Sequence, residues 1–78
     1  MIMTGLDKAV EKRIRFFQDK YNCIIFLTEE NGYIYMTVSF TRKDGWETVQ
    51  DIKLVPADAY KEEVMTAMRK YLKDKENY

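Results

Sequence analysis

Cys23 is the only thiol in the chain, and no histidine is present to activate it. Histidine is the side chain that titrates unperturbed near neutrality, so its absence removes the commonest acid–base and zinc chemistry. A single cysteine builds no disulfide framework. Cys23 also falls among apolar neighbours, where a thiol serves as a small hydrophobe. The carboxylates closest to ligand spacing are Asp58 and Glu62, one helical turn apart in the expected last helix; two carboxylates without further oxygen donors make a poor cation site. Glu29 and Glu30 flank a turn, where they aid solubility. No glycine-rich phosphate loop, nucleophile elbow or metal-ligand spacing occurs. The expectation is a protein with no catalytic residues, no metal ligands and no cofactor.

The 78 residues are 46% hydrophobic and 33% charged, as expected of a single compact α+β domain spanning 1–78. A chain of this length is expected to be stable by about 4 to 12 kcal/mol. Its 13 basic and 13 acidic residues cancel, leaving no net field to draw nucleic acid or anionic lipid. The longest apolar run, Cys23 to Leu27, falls far short of a membrane span, and Met1 to Thr4 lacks the pattern of a signal peptide. The expected location is cytoplasmic.

The elements that must position any functional side chain follow from periodicity. Leu6, Val10, Ile14, Phe17 and Tyr21 share one helical stripe, with Thr4 as the expected cap and Asp7 three residues on. From Cys23 the period becomes two. Asn31-Gly32 predicts a two-residue hairpin turn between strands at 22–28 and 33–41, pairing Leu27 with Met36, Ile25 with Val38 and Cys23 with Phe40. A second turn lies at Lys43-Asp44-Gly45. A two-residue version would set Val38 opposite Asp51 and Met36 opposite Lys53, burying charge. A three-residue loop with Gly45 as a G1 bulge pairs Phe40 with Thr48, Met36 with Ile52 and Ile34 with Leu54, and is the expected register. The third strand then runs over 46–54. Pro56 is expected to end it and open a last helix whose inner stripe is Ala57, Tyr60, Val64, Ala67, Met68, Tyr71 and Leu72. Residues 73–78 read as a charged, frayed tail. The result is an αβββα domain: a three-stranded antiparallel meander in order 1-2-3 with both helices on one face.

That arrangement leaves a second sheet face. The expected register places Ile24, Ser39 and Val49 in one outer row, Phe26, Thr37 and Asp51 in the next, and Thr28, Tyr35 and Lys53 in a third, with Tyr33 extending the patch. Trp46 falls on the inner side by parity, as a lid on the core edge. Ile24, Phe26, Tyr33, Tyr35, Val49 and Lys53 are the candidate protein-binding residues. Strand 1 adds an edge without the lysine, proline or bulge that blunts most edges, open to strand addition unless helix 1 shields it.

The αβββα order resembles the double-stranded-RNA-binding domain across almost the whole chain. That resemblance implies a lysine cluster opening the second helix and a histidine in the loop between strands 1 and 2. The corresponding stretches here read PADAYKEEV and TEENGY, acidic and without histidine, which disfavours a phosphate backbone. Single-strand stacking on Phe26, Tyr33 and Tyr35 is the other nucleic-acid mode, with few lysines around it. Small size, neutral charge and richness in tyrosine, lysine and isoleucine are similar in style to small phage or mobile-element proteins, including anti-CRISPR-like inhibitors of host enzymes. The expected function is a non-catalytic interaction module whose partner is another protein or a second copy of the chain, with no membrane role.

Overall fold

A computed structural model describes residues 7–76. The element order is α1 (Lys8–Tyr21), β1 (Cys23–Glu30), β2 (Tyr33–Arg42), β3 (Gly45–Pro56) and α2 (Lys61–Glu76), and the sheet is antiparallel in order β1-β2-β3. The αβββα architecture is the one expected.

Asp7 caps α1: its carboxylate accepts the Ala9 N–H at 2.8 Å, and its carbonyl accepts the Glu11 N–H at 3.0 Å. The helix start therefore lies at Asp7; the expected cap, Thr4, is outside the described residues. Val10 and Phe17 are buried, with Ile14 and Tyr21 packed against them. Asn22 ends the helix in the left-handed region at φ 54°, its N–H donating to the Gln18 carbonyl, and the chain turns directly into β1.

The β1–β2 hairpin has the expected register, with β1 running from Cys23 to Glu30 where 22–28 was expected. Asn31 and Gly32 take positive φ values of 52° and 81°, as a two-residue primed turn requires, and Leu27 pairs with Met36, Ile25 with Val38 and Cys23 with Phe40.

The β2–β3 hairpin differs. Its turn is two residues, Lys43 and Asp44, with Arg42 opposite Gly45, so Phe40 faces Glu47 where Thr48 was expected. The register then shifts between Met36 and Val38, bringing Met36 opposite Ile52 as expected, and again between Ile34 and Tyr35, bringing Ile34 opposite Val55 where Leu54 was expected. The first shift has a physical cause. Unbroken alternation from Val49 would turn Asp51 and Lys53 toward the core and Ile52 and Leu54 away from it, a costly exchange. One additional residue corrects the phase. It is accommodated at Asp51, whose φ of 57° lies in the left-handed region that aspartate tolerates better than most residues, and whose N–H is held by Thr37 Oγ1 at 3.4 Å.

Two expected roles around α2 are also corrected. Pro56 pairs with Tyr33 at the end of β3 and does not open the helix; a turn through residues 57–60 intervenes. In that turn the Ala57 N–H donates to Gly32 and the Tyr60 carbonyl accepts the Glu63 and Val64 N–H groups. Tyr60 thus precedes the first turn and is 78% exposed, outside the inner stripe. Asp58 likewise lies outside the helix, so it and Glu62 are not one helical turn apart. The helix continues to Glu76, into the segment expected to fray.

Val64, Met68 and Leu72 of α2 complete one core with Val10 and Phe17 of α1, Cys23, Ile25 and Leu27 of β1, and Ile34, Met36, Val38 and Phe40 of β2. Each such side chain contributes about 1.5 to 3 kcal/mol on burial. β3 adds only partly buried residues, Val49, Ile52, Leu54 and Val55. All of these pack on one side of the sheet, beneath the helices.

Candidate functional site

Strand alternation leaves the even-numbered side chains of β1 and the odd-numbered side chains of β2 on the opposite face. Ile24 and Phe26 form an apolar ridge on β1, 42% and 52% exposed. Across the sheet, Trp46 stands opposite Thr41 and is 60% exposed. Between them runs a lane of hydroxyls, Thr37, Ser39 and Thr41, with the Ser39 and Thr48 oxygens 2.8 Å apart. Toward the first turn, Tyr35 sits between Thr28 and Lys53, and the Lys53 ammonium lies 3.8 Å from the centre of the Tyr33 ring. That cation–π contact holds an otherwise long, mobile charge against the sheet, at a gain of about 0.5 to 1 kcal/mol on an exposed surface.

The structure therefore brings Ile24, Phe26, Tyr33, Tyr35 and Lys53 onto one face, with Thr28 and Thr37 among them. Val49 does not belong there. It stands opposite the fully buried Val38 and packs against the core, because Ser39 pairs with Thr48 and not with Val49. The same change moves Trp46 from the expected inner position to the outer face. A Lys43-Asp44 turn combined with a bulge at Asp51 was the arrangement that could have revealed both. The spacing of Val49 and Ile52 demands one extra residue, and the left-handed tolerance of aspartate marks Asp51 as a place for it.

The edge of β1 is partly closed by its own helix. The Thr41 N–H donates to Asn22 at 3.0 Å, so the alternating ladder turns the Cys23, Ile25 and Leu27 backbone groups outward. One of these, the Ile25 N–H, donates to Gln18 Oε1 of α1 at 2.9 Å. A strand adding to this edge must displace that side chain.

The other candidate groups are structural in their settings. Cys23 is buried in the core, its thiol 3.9 Å from the Phe17 carbonyl, and burial pushes its pKa up, away from the reactive thiolate. Glu47 is held below the usual carboxylate range, chiefly by a hydrogen bond from Arg42, whose Nη2 lies 2.9 Å away. The Arg42 guanidinium also lies 4.9 Å from the Phe40 ring centre. Among the described residues no cluster of three or more cysteine or acidic side chains could hold a metal ion, and no helix is long and apolar enough to cross a membrane.

No protein-family model, curated protein or solved structure matches the chain.

Proposed function

We propose that the protein is a non-catalytic interaction module that binds another protein through its outer sheet face. The observation that carries this reading is the exposure of Ile24, Phe26 and Trp46 on a single uncovered face. Antiparallel sheets commonly turn one face to water, but that face is usually built from polar and small residues. Large apolar side chains ridged on both sides of a hydroxyl lane give a partner anchors at its edges and hydrogen-bonding groups between them, the division of labour common in protein interfaces. Tyr33, Tyr35 and Lys53 extend the surface toward the first turn.

A second copy of the chain is the other occupant of this face. The duplex-RNA reading draws no comparable support, because Asp58, Glu62 and Glu63 stand where that resemblance implies lysines, and Glu29 and Glu30 flank the loop where it implies a histidine. Its compact size and neutral charge suit a cytoplasmic inhibitor of the phage or mobile-element kind, binding a host enzyme.

Light scattering over a wide concentration range, on the wild type and on Phe26→Glu, tests the reading. A wild-type monomer at every concentration leaves the face free for a different protein. A dimer that Phe26→Glu dissociates assigns the face to self-assembly. A Phe26→Glu variant that unfolds would show the face to be core and overturn the proposal.

A further inference from the structure

The charges that cancel over the whole chain separate in the fold. α1 carries five basic and two acidic residues and α2 five basic and four acidic, so the helical layer is positive while the sheet and turns are negative. Two of these cations, Arg13 and Arg69, line the groove where the two helices meet. Its centre, about 230 Å³, is lined by Arg13 and Phe17 of α1 and by Glu62, Met65, Thr66 and Arg69 of α2. Beside it Lys12 and Phe16 of α1 line a depression that shares Arg13 and Met65, while Thr66 and Arg69 connect it to a patch of α2 alone that carries Lys70 and Lys73.

We propose that this groove is a second binding site, for an acidic polypeptide segment that carries apolar anchors. Two features favour such an occupant. Lys12, Arg13, Arg69 and Lys70 form no ion pair among the described residues, so their charge is available to a ligand. Aromatic surface lies beside Arg13: its guanidinium is 5.6 Å from the Phe16 ring centre and 6.0 Å from that of Phe17, and the Lys20 ammonium is 5.9 Å from Phe16. Cations held over aromatic rings beside Met65 match an amphipathic acidic helix, whose apolar side chains enter the groove while its carboxylates meet the rims. A phosphate backbone has no use for the Met65 and Phe16 surface. Helices of 14 and 16 residues are long enough to flank a docked helix of about four turns.

The test is fluorescence anisotropy with a labelled acidic peptide of about four helical turns bearing leucines at i, i+4 and i+7. Binding is expected to weaken roughly tenfold or more in the Arg13→Glu/Arg69→Glu double variant, to weaken with added salt, and to be unchanged in Phe26→Glu, which alters only the sheet face. Arg13→Gln/Arg69→Gln, which removes charge without adding repulsion, should show the same loss in smaller degree and serves if the double glutamate variant fails to fold. Absence of binding to the wild type, or equal binding by the folded variants, would overturn the proposal. So would equally tight binding of a single-stranded oligonucleotide of matched charge, which would make the groove a general polyanion site.

Discussion

β1 and β3 flank the same central strand, yet β1 keeps a single register through all eight of its residues and β3 shifts register twice in twelve. In β1 the inner residues Cys23, Ile25 and Leu27 are buried and the outer residues Ile24 and Phe26 are exposed, so sequence parity and structural parity agree. In β3 the apolar positions Val49, Ile52 and Leu54 fit no single phase of alternation. A residue therefore has to be absorbed, and absorbing it at Asp51 decides which side of the sheet Trp46 and Val49 occupy. A bulge also twists a strand and spoils it as a template for strand addition, so β3 is guarded by its own irregularity. The regular β1 relies on Gln18 of α1 to occupy one edge amide.

The largest effect that would break this comparison is a charge placed on the two sides of the sheet. Val49→Asp is expected to cost about 3 kcal/mol or more, because it sets a carboxylate against the core beside Val38. Ile24→Asp is expected to cost about 1 kcal/mol or less, since that side chain is on the open face. Urea unfolding measures both; equal costs, or the reverse order, would mean that β3 is in the other phase.

A smaller effect probes the bulge itself. Asp51→Val should destabilise by about 1 to 2 kcal/mol, because a β-branched residue resists the φ of 57° found there. Asp51→Gly should be neutral or slightly stabilising. If valine is tolerated as well as glycine, the extra residue sits elsewhere.

The smallest effect concerns the end of the hairpin. Hydrogen bonding to Arg42 lowers the Glu47 pKa in the folded state, so this group stabilises the fold above its unfolded pKa and loses that contribution as pH falls through its folded pKa. The unfolding midpoints of wild type and Glu47→Gln should therefore differ most near neutrality and converge in acid. A gap that is unchanged with pH would rule the charge out as its cause.

The ease of reading the sequence tracks the same contrast. Asn31-Gly32 has one conformational role, and with apolar alternation on both sides it determined the first hairpin and placed Ile24, Phe26, Tyr33 and Tyr35 together. Val49 and Ile52 signal an extra residue but not its position. Gly45, with its positive φ of 130°, offers the turn as a home for that residue as readily as Asp51 offers mid-strand. Choosing the turn keeps Met36 opposite Ile52 while inverting the residues between, so Val49 was expected outside and Trp46 inside. Lys53 was placed correctly because it lies beyond the bulge, where both routes regain the same phase. The helix-side groove was legible only in part: Lys12 and Arg13 are neighbours in sequence, whereas Arg69 and Lys70 join them only through the packing of α1 on α2.

The central claim, that β3 absorbs its extra residue at Asp51 and so presents Trp46 to the outer face, is tested most directly by cross-strand proton contacts in solution NMR. Ser39 and Thr48 form a non-hydrogen-bonded antiparallel pair, in which the Cα atoms approach to about 4.5 Å and the Hα protons meet. A strong Hα–Hα nuclear Overhauser contact between Ser39 and Thr48 is the predicted result. The same contact between Ser39 and Val49 would contradict it, returning Val49 to the open face and Trp46 to the core.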